Sequence, residues 1–236
     1  MLELRDLSVF VGDKPILHNI DLKVGVGEVH VLLGPNGSGK SSVLAAIMGL
    51  SPFEVTRGSI LYRDKDLDGL GIDERAALGL GMAFQRPPEL DGVTVEEFAA
   101  ALDASRELTN ESALLNMEDF AQRDLMVGFS GGEIKRWEVL KLFLQDPDFL
   151  SFEEPESGVD LEHIAAIGAA VRKLVSKPAK DGSKRGALLI THTGLILEHI
   201  DADQGHLMRD GKIIHSGAPK ALFKHIQKQG YVAPAA

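Results

Sequence analysis

Apolar positions in the first thirty residues fall in short alternating or continuous blocks, which predicts strands over Leu2–Leu7 and Ile16–Val24. Gly12-Asp13 and Gly25–Gly27 supply the turns between them. Val29–Leu33 is a short apolar run that stops at Gly34, the pattern of a buried parallel strand. The period then lengthens, and Ser41–Leu50 predicts a helix closing near Pro52. Leu80–Phe84 predicts another strand, which runs into Gln85 and Pro87-Pro88. Further along, Phe149–Phe152 and Ala187–Ile190 predict two more buried strands. His206–Met208 and Lys212–His215 flank Arg209-Asp210-Gly211, a hairpin signal.

Between about Glu89 and Val127 the character changes to acidic and helix-rich, with Thr94…Glu97 as a capping box before Phe98–Leu102. A helix over Gly132–Leu144 places Ile134, Trp137, Leu140 and Leu144 on one face. Leu161–Val175 predicts a second, with Leu161, Ile164, Ala165, Gly168 and Val171 as its apolar stripe. The basic stretch Lys177–Arg185 reads as a solvated crossover, and a last helix runs from Pro219 to Gly230. Strands alternating with helices after an early meander predict an α/β fold: a mainly parallel sheet core with an antiparallel β wing. The expected organisation is a first part of the core over 1–88, an inserted helical subdomain over 89–129, and the second part of the core over 130–236.

A chain of 236 residues suits one medium domain with such an insertion. It holds no cysteine, which excludes a disulfide framework, a thiolate metal site and a cysteine nucleophile, and fits a reducing cytoplasm. A net charge of −10 argues against general nucleic-acid or anionic-membrane binding. Met1–Asp6 already carries Glu3, Arg5 and Asp6, so no secretory apolar core is expected there. No apolar run reaches the roughly 18–20 residues of a membrane span, so another chain would have to supply one.

The strongest chemical signal is Gly34-Pro35-Asn36-Gly37-Ser38-Gly39-Lys40-Ser41, a G-x-x-x-x-G-K-[ST] loop between a predicted strand and a predicted helix. Its glycines let consecutive N–H groups face phosphates, and the helix that follows adds its positive end. Lys40 is a mobile charge for the β/γ-oxygens, Ser41 offers a hydroxyl to Mg²⁺, and Ser42 stands beside it. Alone, such a loop indicates only a nucleoside triphosphatase.

Phe129-Ser130-Gly131-Gly132-Glu133 opens a predicted helix; by itself Ser130 would be an ordinary N-cap. Together with the phosphate loop it resembles the signature motif of the ATP-binding-cassette (ABC) ATPases. That resemblance implies a dimer in which Ser130, Gly131 and Gly132 of one subunit face the ATP held by the other. Phe149-Leu-Ser-Phe152-Glu153-Glu154-Pro155 stands at the Walker B place, with Glu153 where the family has Asp as a magnesium ligand. Glu154 falls on the catalytic position, where it would orient and deprotonate the attacking water. Gln85 matches the Q-loop glutamine at the ion and the water, and His192 the switch histidine reading the γ-phosphate. Ser157-Gly158-Val159-Asp160 matches the D-loop at the dimer interface; Asp160 alone could equally cap a helix. The family's adenine-stacking aromatic is missing, because Val11 occupies that position and Phe10 is expected to pack inward.

Within the family the chain resembles the SufC-type ATPases of SUF iron–sulfur cluster assembly. The similar segments are Tyr62…Asp66-Leu67, Asp73-Glu74-Arg75, Gly81–Gln85, Val127–Glu133, Ser157–Asp160 and Gln229-Gly230-Tyr231. Pro155 and Glu156 depart from the Ser-Asp common there. The resemblance implies ATP and Mg²⁺ as cofactors, a second copy of the chain in the ATP-bound state, and a soluble SufB/SufD-like scaffold docked through the helical subdomain and Q-loop cleft. Two other readings stay open: a membrane transporter's ATPase subunit, and an ATP-sensing assembly subunit with little hydrolysis.

Overall fold

In a computed structural model that describes residues 1–234, the chain builds two larger sheets and a two-stranded one, with two apolar clusters. β1 (Leu2–Val11) and β2 (Lys14–Val24) form an antiparallel hairpin, longer at both turn-side ends than its apolar pattern suggests. β3 (Val29–Leu33) is buried at every residue and leads through the Gly-rich loop into α1 (Lys40–Met48). β4 (Phe53–Tyr62) then returns along β1, and β5 (Lys65–Asp66) completes the wing in the order β2-β1-β4-β5. β4 has no sequence signal, because most of Phe53–Ser59 is polar or exposed; its partner strand recruits it.

The short α2 (Ile72–Ala77) precedes β6 (Leu80–Ala83). The span expected to be helical is mixed: β7 (Leu90–Thr94), α3 (Val95–Ala101), α4 (Ser105–Glu111), two single 3₁₀ turns and β8 (Asp124–Leu125), which pairs with β7. The capping box is present, with Glu97 N donating to Thr94 Oγ1 at 3.2 Å and Thr94 N to Glu97 Oε2 at 2.8 Å.

α5 (Gly131–Gln145) crosses the centre and is buried continuously from Lys135 to Leu144, so its burial is not confined to one face. It is followed by β9 (Phe149–Glu153), α6 (Leu161–Ser176), β10 (Gly186–Thr191), β11 (Gln204–Arg209), β12 (Lys212–Gly217) and α7 (Pro219–Gln229). The second sheet runs β12-β11-β3-β10-β9-β6, parallel throughout except at β12. Asp210 and Gly211 make the β11–β12 turn with φ of 48° and 72°, as a type I′ hairpin needs.

Two expectations need correcting. The α6 stripe is Ile164, Ile167, Gly168, Val171 and Leu174; Leu161 is 74% exposed and Ala165 faces solvent. The sheet lies one position round the helix from where the apolar count puts it. Nor is Lys177–Arg185 merely solvated: Arg185 is buried and donates to Asp146 at 2.6 Å, and Lys177 donates to the same oxygen at 3.1 Å. A guanidinium can be buried there because a carboxylate and the Pro178 carbonyl receive it.

Candidate functional site

The parallel register explains how residues far apart in the chain meet. Leu33, Thr191, Glu153 and Ala83 end four adjacent strands, and the next few residues of each strand carry a candidate group. These are the phosphate loop after β3, Gln85 after β6, Glu154 after β9 and His192 after β10. An open parallel sheet presents its ligand site at this carboxyl edge.

The loop Gly34–Lys40 packs on the β11–β12 turn, whose Gly211 N donates to Ser38 O at 3.0 Å. A Cβ at Gly34 would lie 2.3 Å from Met208 O, so no other residue fits there without moving β11. Gly39 sits at φ 100°, a conformation open in practice to glycine. Asn36 and Gly37 are exposed, Pro35 is half-buried, and Ser41 and Ser42 follow Lys40 in the first turn of α1 with Ser41 in solvent. The Lys40 ammonium folds back, donating to Gly34 O at 2.8 Å and Pro35 O at 2.9 Å. Burial lowers its pKa, and the Glu154 and Glu153 charges oppose that. Ser38 Oγ is buried with no partner among the described residues.

Glu154 is buried at φ 47°, immediately before Pro155. A left-handed glutamate there costs on the order of 1–3 kcal/mol and persists only where surroundings hold it. Here its N–H donates to Ile190 O at 3.0 Å. Gln85 Nε2 donates to its Oε2 at 2.9 Å, and His192 Nδ1 lies 2.9 Å from its Oε1. An ionised carboxylate only accepts, so the ring proton belongs on Nδ1, leaving Nε2 for another partner. Each carboxylate oxygen keeps a second acceptor position for a water proton. Glu153 is half-buried, its Oε2 accepting from Gln85 N at 3.3 Å. Gln85, Glu153, Glu154 and His192 are thus brought together as one cluster.

Ser130 lies elsewhere in the bonding network. It caps α5, accepting from Glu133 N at 3.3 Å while Glu133 Oε2 accepts from Ser130 N at 2.7 Å. Ser130 and Gly131 are exposed, and Gly132 is half-buried. Asp160 occupies the N-cap position of α6 without a side-chain capping bond, and Ser157 N donates to Glu154 O at 3.1 Å. Val11 stands at the β1–β2 turn opposite Lys14, and Phe10 lies outside both apolar clusters, contrary to the expectation that it packs inward.

Three supports of this cluster escape a reading of the sequence. Lys135 Nζ, buried on α5, donates to Glu153 O at 3.1 Å; burial lowers its pKa, while four glutamates, Glu153 first, oppose this. Glu156, 3% exposed, accepts from the Thr191 and Thr193 hydroxyls, and burial raises its pKa. Glu138 accepts from Phe84 N at 2.6 Å and from Lys141 at 2.7 Å. In the sequence all three are charges among charges, and α5 itself carries Glu133, Arg136 and Lys141 besides Lys135 and Glu138, so no local signal sets them apart.

Known proteins resemble this chain in sequence and in fold. A family model described as "ABC transporter" matches residues 17–157. The chain is 38% identical over 248 residues to the probable ATP-dependent transporter SufC of Escherichia coli (strain K12), covering 98% of this chain and 97% of that protein. It is 39% identical over 246 residues to a probable ABC transporter ATP-binding protein of Streptococcus pyogenes serotype M3, with 98% and 93% covered. In fold it is similar to a nucleotide-free ATP-binding cassette from an ABC transporter, at TM-score 0.80 and 21% identity over 99% of each chain. A dimeric cassette in a post-hydrolysis state, bound to ADP and Pi, matches at TM-score 0.78 and 20% identity, over 93% of this chain and 99% of that one. The chain belongs to the ABC transporter family and is an ATP-binding cassette that hydrolyses ATP.

Proposed function

We propose that this ATPase works as a SufC-type cassette, in which two copies close around ATP and move a soluble SufB/SufD-like scaffold. The observation that carries the hydrolytic part is the Gln85–Glu154–His192 cluster at the strand ends. Glu154 orients and deprotonates the attacking water, and His192 turns its free Nε2 to the γ-phosphate. Backbone N–H groups of Gly34–Gly39 and the orphaned Ser38 hydroxyl receive the phosphates. Lys40 exchanges its two loop carbonyls for phosphate oxygens.

The residues present fit Mg²⁺, a hard ion that takes oxygen ligands. Ser41 offers a hydroxyl, Glu153 a carboxylate, and Gln85 its amide oxygen, since Nε2 is already committed to Glu154. When bound there, the ion supplies charge neutralisation at the β/γ-phosphates. Glu153, one methylene longer than Asp, reaches the same place only with a small shift of the strand end.

Ser130–Gly132 and the adjoining Ser157–Asp160 segment serve the second copy's nucleotide. The exposure of Ser130, Gly131, Gly158 and Asp160, and of Leu161 beside them, suits a face that closure covers. The scaffold docks in the cleft between residues 89–129 and the core, lined by Phe84, Pro87, Phe98, Leu125 and Trp137. Phe84 adjoins Gln85 and is bonded to Glu138, so movement of the cleft reaches the ATP site directly. No helix among the described residues is long and apolar enough to cross a membrane. A cytoplasmic setting follows from this reading, with no nucleic-acid partner.

Detergent-free pull-down of the tagged chain tests the proposal. A cysteine-containing scaffold in near-equal amount is expected. A permease recovered only with detergent would move the chain to the transporter reading that its relatives' names also carry.

A further inference from the structure

Beyond Gly230 the chain turns back over the edge that carries His192. Val232 N donates to Gly230 O at 3.0 Å and His225 Nε2 lies 2.9 Å from Val232 O, which pins the turn to α7. Tyr231 is thereby packed against the main apolar cluster, and its hydroxyl donates to the backbone carbonyl of His192 at 3.3 Å. Phe223 of α7 presses on the same loop: a Cβ at Gly194 would lie 2.3 Å from its ring. From the other side Glu156 holds Thr191 and Thr193. Among the described residues, the His192 ring has one polar partner, Glu154. The aim of the imidazole therefore depends on where its own peptide is held.

We propose that Tyr231 is a positioning residue for ATP hydrolysis, its hydroxyl fixing the His192 peptide so that the imidazole stays in register with Glu154. This rests on the reading of His192 given above. Burial, and after it the Glu154 charge, raise the pKa of the phenol, so it remains a hydrogen-bond donor through the neutral range. Phe223 and Tyr231 act differently on the loop. The Phe223 ring fills space against Gly194, whereas the Tyr231 hydroxyl sets direction.

Tyr231→Phe keeps the ring and removes only the hydroxyl. Loss of one neutral hydrogen bond is expected to lower kcat about fivefold, with KM for ATP changed by less than about twofold. The thermal midpoint should stay within about 2 °C, since packing is conserved. The decisive comparison is a single-turnover assay of His192→Ala with and without Tyr231→Phe, where the second change should cost nothing further. Unchanged kcat in Tyr231→Phe overturns the proposal. So does a fivefold loss that persists in the His192→Ala background, which would make Tyr231 a general packing residue. Full activity of His192→Ala alone overturns the assigned role of His192, a separate failure identifiable by that variant.

Discussion

The two regions of this cassette proposed to face phosphate are built in opposite ways. At the carboxyl edge of the parallel sheet, Gln85 and His192 each hydrogen-bond to Glu154, and Lys40 is tied to its own loop. At the N-terminus of α5, Ser130 and Gly131 stand in solvent, and Ser130 bonds only within its own helix. The first region is assembled from four segments of one chain. The second is a single helix end. Buried carboxylates must be satisfied by the chain that buries them. Exposed amides at a helix N-terminus are satisfied by water until an anion arrives. On the proposed reading, one chain holds the hydrolytic groups complete but only half of each nucleotide's surroundings.

Variants on either side probe that contrast. Glu154→Gln removes the proposed base with a side chain of the same shape, whose one amide oxygen can accept from only one of Gln85 and His192 as they now stand. Turnover is expected to fall by about 10²–10⁴, with ATP binding retained by equilibrium titration of a fluorescent analogue. Lys40→Ala acts on the same region but on binding: losing a charged donor should weaken ATP affinity by about 10–100-fold in that titration.

Ser130→Asp addresses the other region. Aspartate caps as well as serine, so the melting temperature should hold, whereas its charge opposes phosphate and lowers turnover by about tenfold or more. An equimolar mixture of Lys40→Ala and Ser130→Asp proteins should recover about a quarter of parental activity, because half of random dimers contain one intact composite site. Recovery of none would place both halves in the same chain.

The smallest effect concerns the far end of the strands, as a control. His206 Nε2 lies 3.0 Å from His30 Nδ1, and burial, then the His30 charge, push the His206 pKa down to about 4 from 6.5. The unfolded chain therefore binds more protons than the folded one between those values. Stability is full above about pH 6.5 and falls towards pH 4, by at most about 1.4 kcal/mol per pH unit for this residue. Urea melts of His206→Asn should show a flatter acid limb than the parent, without change in turnover at neutral pH.

The phosphate loop is legible in the sequence because its glycines and lysine are consecutive, and Thr94…Glu97 because a capping box is local. β4 is not legible, since its residues pair with β1 while their own pattern is polar. Leu161 misleads because periodicity gives the apolar arc of a helix, not the angle at which a sheet receives it. Gln85 and His192 are identified by order along the chain; their bonds to Glu154 are invisible there.

Neighbouring residues alone dictate that an α/β sheet precedes and follows a phosphate loop, that a capped helix carries Ser-Gly-Gly, and that two carboxylates end a buried strand. Backbone propensity and side-chain period set those features locally. The packed fold is needed to bring Glu154 to Gln85 and His192, to brace the strand ends with Lys135 and Glu156, and to carry Tyr231 to the His192 peptide. Such contacts depend on strand order and register across the sheet. Burial makes them obligatory, because an unpaired polar group inside costs more than the chain's local preferences can offset.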